Sequence, residues 1–218
     1  MTSCLVGRRS RRAFEAIVVG MLVAGTAPAL PGQASVEVGP SVGYYRPLGH
    51  FAHGDYFDTR LPSTPQDLSA LAYGGTAVIR FTRRLGLEVD GTVVPDARSS
   101  RVFTNPGGFG GNRVFAATIT IASAEMLLEL KSSNGRRLWV GAGPGFIHHG
   151  GDSYDGYGTP SEVAGVAAVG GDIALAKHVH ASASLSALVY RLRLSDPRVI
   201  GSGVQEDGLV RLGLVLKP

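Results

Sequence analysis

Cysteine is nearly absent: Cys4 is the only one in 218 residues. It precedes the apolar run of the N-terminal segment, so it is not a lipoprotein cysteine, which would follow that run. Beyond it the chain has no thiol for a disulfide, a nucleophile or a metal. Long apolar runs are missing as well. After the first 34 residues nothing approaches the roughly 20 apolar residues that a membrane helix requires. Nucleotide motifs are lacking too. No G-x-x-x-x-G-K-[ST] occurs, and in "LWVGAGPGFI" Phe146 stands where a dinucleotide fingerprint needs its third glycine.

An excess of charge is also missing once the start of the chain is set apart. "MTSCLVGRRSRRAFE" carries Arg8, Arg9, Arg11 and Arg12. The short apolar run "AIVVGMLVAG" and the small residues of "APAL" and "PGQA" follow, which is the pattern of a secretory signal peptide. Cleavage is expected after Ala34, with Ala29 as the alternative. "SRRAF" looks like a twin-arginine signal, but Glu15 stands where that signal prefers an apolar residue, so general secretion is expected. Removing residues 1–34 takes away four of 21 basic residues and one of 17 acidic ones, leaving 17 against 16. The basic character thus belongs to the leader, and no nucleic-acid partner is expected.

What is present is alternation. Eight segments of about ten residues switch polarity at every step, the length and period of a tilted membrane strand. They are "SVEVGPSVGYYR", "SALAYGGTAVIRFT", "LGLEVDGTVV", "VFAATITIASAEMLLEL", "LWVGAGPGFI", "VAGVAAVGGDIALA", "VHASASLSALVY" and "LVRLGLVL". In the fourth the apolar face changes near Ala122–Ser123, where a bulge is expected. Three joints are short ("RR", "KSSNGRR", "KH"). The others, near residues 47–68, 95–112, 149–162 and 193–207, are long. A membrane barrel has this rhythm, with its short turns on the periplasmic side. Residues 35–218 are therefore expected to form one all-β domain, an eight-stranded antiparallel up-and-down transmembrane β-barrel. A closed barrel is the remaining way for such a chain to cross a bilayer.

The stretches "AEMLLEL…RRLWVGAGPGF", "VGGDIALAKHV" and "ASASLSALVYRL" resemble the small eight-stranded outer-membrane β-barrels, the OmpA-like and OmpW-like group. The resemblance covers nearly the whole chain after residue 34. It implies residence in the outer membrane of a Gram-negative-type bacterium, contact with its lipids, a single copy, and no cofactor. Such barrels usually end in an aromatic residue, whereas this chain ends "LVLKP".

In a barrel this narrow the interior is filled by side chains. The glycines at 141, 143 and 145 are expected to face inward and leave room for larger neighbours. Alternation puts Glu37, Arg80, Glu88, Asp90, Asp172, His180 and Arg211 inside, with Glu125 and Arg137 beside them. Buried charges need partners, so Arg80 and Arg211 are expected to pair with Glu37, Glu88 and Asp90 as a polar plug. This points to a structural, anchoring or surface-interaction role and not to an enzyme. One alternative is a narrow channel for small or hydrophobic solutes.

A second alternative is a lipid A-modifying hydrolase, because His180 and Ser182 share a face. Lipid A deacylases use His-x-Ser, but with Asn after the serine, where this chain has Ala183. His148, His149, Asp152 and Asp155 lie close in sequence. Adjacent residues of a strand point opposite ways, so a solvated loop is expected there and not a metal site. The Tyr-bearing loop around Tyr154 and Tyr157 is a candidate for surface contact.

Overall fold

The computed structural model describes residues 35–48, 66–67, 69–104, 110–154, 161–192 and 203–217. The proposed leader, residues 1–34, and most of the long joints lie outside them. The elements are β1 (Ser35–Pro47), β2 (Gln66–Asp67), β3 (Ala70–Arg80), β4 (Leu85–Thr104), β5 (Gly110–Ser133), β6 (Arg136–Gly150), β7 (Ser161–Ala176), β8 (Val179–Leu192) and β9 (Gly203–Leu216). The eight long strands pair antiparallel in the order β4-β3-β1-β9-β8-β7-β6-β5, and β4 pairs with β5 to close the ring. The two-residue β2 lies on the outer part of β4, with Gln66 opposite Ser100.

The short turns follow local chemistry. Asn134 and Gly135 have φ of 51° and 73°, the two left-handed residues that a tight hairpin with the twist of its strands requires. At the β3–β4 turn the Thr82 hydroxyl accepts the Arg84 and Leu85 amides at 3.2 and 3.0 Å. Lys177 and His178 alone connect β7 to β8. These turns share one rim. At the other rim β4 and β5 run on as a hairpin, 20 and 24 residues long, more than the ~10 a membrane strand needs. The expected loop over 95–112 is therefore mostly strand, and β9 likewise begins at Gly203 and not at Leu209.

Every long strand exposes a large apolar side chain on the outer wall: Val42, Leu71, Val89, Met126, Phe146, Val169, Leu185 and Leu212. In water such a continuous belt would be an aggregation surface. Against acyl chains it is the apolar band of a membrane barrel.

The interior corrects one expectation. No bulge occurs at Ala122–Ser123, because the β4–β5 register runs unbroken from Leu85–Leu128 to Val94–Ile119. Ile119, Ile121, Ser123, Glu125 and Leu127 all point inward. The apolar residues do change face, inward at Ile119 and Ile121 and outward at Met126 and Leu128, but on an unbroken pleat, because the lumen itself changes from apolar at the long-loop end to charged at the short-turn end. The β4–β5 ladder is irregular instead between Val94 and Ala97, which keeps both residues inside at 0% and 1% exposure, and β5 is irregular against β6 between Glu129 and Lys131.

Candidate functional site

The glycine alternation of β6 makes space for its neighbours. A Cβ on Gly141 would meet Leu127 Cδ2 at 2.8 Å and Glu125 Oε2 at 3.2 Å, one on Gly145 would meet Val166 Cγ2 at 2.6 Å, and one on Gly143 would strike the Ala124 carbonyl. Gly170 on β7 accommodates the indole of Trp139 in the same way. Small residues on one side of the lumen thus let long charged side chains cross it.

These charges form two layers. Nearest the short turns, both nitrogens of the Arg137 fork donate to Glu37, each at 2.8 Å, and Arg137 Nη2 also lies 2.8 Å from Asp172. Arg80 approaches Glu37 at 3.9 Å and Glu129 at 3.8 Å. Lys217, just past β9, reaches Glu37 at 3.3 Å. Burial holds its ammonium below the ordinary lysine range, against the attraction of Glu37. The layer has three carboxylates (Glu37, Glu129, Asp172) for three cations (Arg80, Arg137, Lys217). His180 faces it and is buried.

The second layer is at mid-barrel. Arg211 pairs with Asp90, and with Glu88 at 3.4 Å. Asp90 accepts from Thr92 at 3.0 Å, and Glu125 accepts from Ser123 at 2.8 Å. Glu88 and Glu125 are direct partners across the β4–β5 ladder. Three buried carboxyl groups therefore share one guanidinium among the described residues. A cavity of about 20 Å³, lined by Glu37, Arg80, Trp139, Asp172, Ser184 and Arg211 among others, lies between the layers. That is room for a water molecule and little more.

The sequence-derived residues all face the lumen, but not as one network. Arg80 joins Glu37, Arg211 joins Glu88 and Asp90, and Arg137 with Asp172 is the firmest part of the first layer. His180 and Ser182 both face inward, and no hydrogen bond joins them. His148 and His149 diverge: His148 bonds Ser161 at 2.7 Å on the outer side, and His149 is fully buried. Asp155 and Tyr157 lie outside the described residues. Among the described residues no group of three or more His, Cys, Asp or Glu is arranged to hold a metal.

Sequence reasoning missed a third polar cluster inside the apolar end. Asp207 accepts hydrogen bonds from Tyr45 at 2.7 Å, Tyr190 at 2.8 Å and Gln205 at 3.0 Å. The Tyr190 hydroxyl also lies 3.3 Å from His149 Nε2, whose ring packs against Tyr154 at 5.1 Å. Around them Ile119, Ile147, Leu188, Leu192 and Leu209 fill the bore. Tyr45 continues the inward alternation of β1 and was readable from it. Gln205 and Asp207 fall in what reads as loop.

The closed ring, its apolar outer wall and its polar interior match known architecture. Neisserial surface protein A aligns over 85% of this chain and 99% of its own, with a TM-score of 0.56 at 13% identity. The outer membrane protein OprG of Pseudomonas aeruginosa aligns over 85% and 96%, with a TM-score of 0.56 at 10% identity. The fold is that of the small eight-stranded outer-membrane β-barrels. The N-terminal β-barrel domain of Pseudomonas aeruginosa OprF shares it as well, at 13% identity and a TM-score of 0.50, over 85% of this barrel chain and all of that one. No protein-family model matches the sequence, and no curated protein matches it.

Proposed function

We propose that the protein is a plugged barrel of the outer membrane, exported by a leader cleaved after Ala34, which anchors and presents its long loops at the cell surface. The observation that carries this reading is the blocked outer half of the lumen. Tyr45, Ile119, Ile147, Leu188 and Leu209 are each at most 2% exposed there, packed around the Asp207 cluster. An interior filled in this way suits a rigid support for loops, where recognition usually resides.

The alternative is a narrow ion or solute path, favoured by the two charged layers below the plug. Recording from the purified barrel in a planar bilayer separates the two. The plugged reading expects a silent membrane. Reproducible stepwise currents from the wild type would defeat it and favour the channel. N-terminal sequencing of the protein recovered from outer membranes is expected to begin at Ser35.

A further inference from the structure

Arg83, Arg84, Lys131, Arg136 and Lys177 are exposed, and all lie on the short-turn rim. No aspartate or glutamate occurs in the turn sequences that carry them, "FTRRL", "LKSSNGR" and "LAKHV". The described acids nearest this rim, Glu37, Glu129 and Asp172, are turned inward to Arg80 and Arg137. None of the five cations shares an ion pair with another described residue. At the opposite rim the exposed charges are mixed: Arg46, Arg98 and Arg191 with Asp96, Asp152 and Glu206. The asymmetry is therefore one of sign and not only of loop length.

The position of these cations identifies their partner. Each is within two residues in sequence of a large exposed apolar side chain of the outer wall: Leu85 at 43%, Leu130 at 55%, Leu138 at 45% and Leu175 at 61%. A molecule that touches both must have a negative head and an apolar tail. Between Lys131 and Arg136 the β5–β6 turn also frames an open recess of about 440 Å³, lined by Ser133, Asn134, Arg137 and Leu138. Arg137 is committed to Glu37 and Asp172, which leaves Lys131 and Arg136 to serve a ligand in that recess. Guanidinium and ammonium groups of this kind bind phosphate oxygens.

We propose that the short-turn rim is a binding surface for anionic phospholipid headgroups of the leaflet it stands in, with the Lys131–Arg136 recess as its strongest position. The inference rests on the barrel lying in a bilayer. A peptidoglycan partner would use the cations alone, whereas a lipid also touches the adjoining leucines.

The test is selective lipid retention. The full-length mature barrel is refolded into vesicles of equal phosphatidylcholine and phosphatidylglycerol, extracted in mild detergent, and its bound lipid quantified by mass spectrometry. The wild type is expected to be enriched in phosphatidylglycerol, and the enrichment should fall as salt is raised. K131Q with R136Q should lower it at least about fivefold, the ratio corresponding to ~1 kcal/mol for one cation near an anionic surface. Neutralising all five should abolish it, while Lys131→Arg with Arg136→Lys keeps it.

Equal retention of both lipids by the wild type overturns the proposal, as does an enrichment that survives high salt and all five substitutions. Cosedimentation of the wild type with purified peptidoglycan, without any lipid preference, also overturns it and assigns the rim to the cell wall. A heat-dependent gel shift on the same samples reports insertion separately. Its absence in the wild type would fail the membrane reading itself, whereas its presence without lipid preference fails only this one.

Discussion

Arg137 and Glu37 meet fork to fork across the lumen, with two hydrogen bonds of 2.8 Å between strands on opposite sides of the ring. Going round the barrel from β1 to β6, three strands intervene in one direction and three in the other. The pair is therefore a strut across the full width of the bore, and both side chains are at least nine-tenths buried.

Breaking that strut on one side should be costly. Arg137→Leu leaves the buried Glu37 and Asp172 short of a cation, and about 3–5 kcal/mol of stability should be lost. Glu37→Leu combined with Arg137→Leu should cost less than the sum of the two singles. Urea unfolding of the vesicle-inserted barrel, run as a double-mutant cycle, measures the coupling. Additive losses would mean that the two groups do not act as a pair.

The glycine face makes a sharper structural prediction. Gly143→Ala drives a methyl into the Ala124 carbonyl, on backbone that cannot swing away, and is expected to destabilise by about 1–3 kcal/mol. Gly165→Ala places its methyl on the open outer wall, where the nearest atom, the Val189 carbonyl oxygen, is 4.0 Å away, and should be neutral. Urea midpoints of the two variants are the comparison. Equal midpoints would show that strand packing at β5–β6 is looser than the geometry indicates.

The apolar belt can be tested by charge. Leu212 is 59% exposed, and Leu212→Arg should destabilise the vesicle-inserted barrel by about 2–4 kcal/mol if this wall faces acyl chains near mid-bilayer. On a water-facing wall the same change would be neutral or favourable. The readout is the same unfolding transition.

At the long-loop end, Asp207 depends on its tyrosines. Tyr45→Phe and Tyr190→Phe each remove one donor to a fully buried carboxyl group, and each is expected to cost about 1–3 kcal/mol. The double variant should lose more than the sum, because only Gln205 then remains among the partners described. Thermal unfolding of the three variants decides the point. Purely additive losses would mean that the two hydroxyls act on Asp207 independently of each other.

Much of this architecture was readable locally. Side-chain alternation is a property of the pleat, so Glu88 and Asp90, two apart on β4, had to share a face whatever the strand paired with. The composition of the two faces then chose lipid outside and charge inside. The β6 glycines followed from the same rule, and Asn134-Gly135 announced its own turn.

Alternation failed where both faces of a strand are apolar. Ile119 and Ile121 point inward, although the outward Leu128 and Leu130 of the same strand look no different in sequence. Only closure of the ring, which brings Tyr45, Ile147 and Leu188 around them, decided that this end of the lumen is dry. Asp207 was similarly hidden, because its strand was recognisable only from Leu209 onward and its partners lie on β1 and β8.

The sequence by itself determined the eight strands over most of their length, their faces wherever one face is polar, and the sign of charge at the short turns, because these depend on neighbours within a few residues. The tertiary structure decided which charges meet. Arg137 finds Glu37 100 residues away, and not the Glu129 of its neighbouring strand, because ring closure and strand register set the distances across the bore. No local pattern encodes those distances.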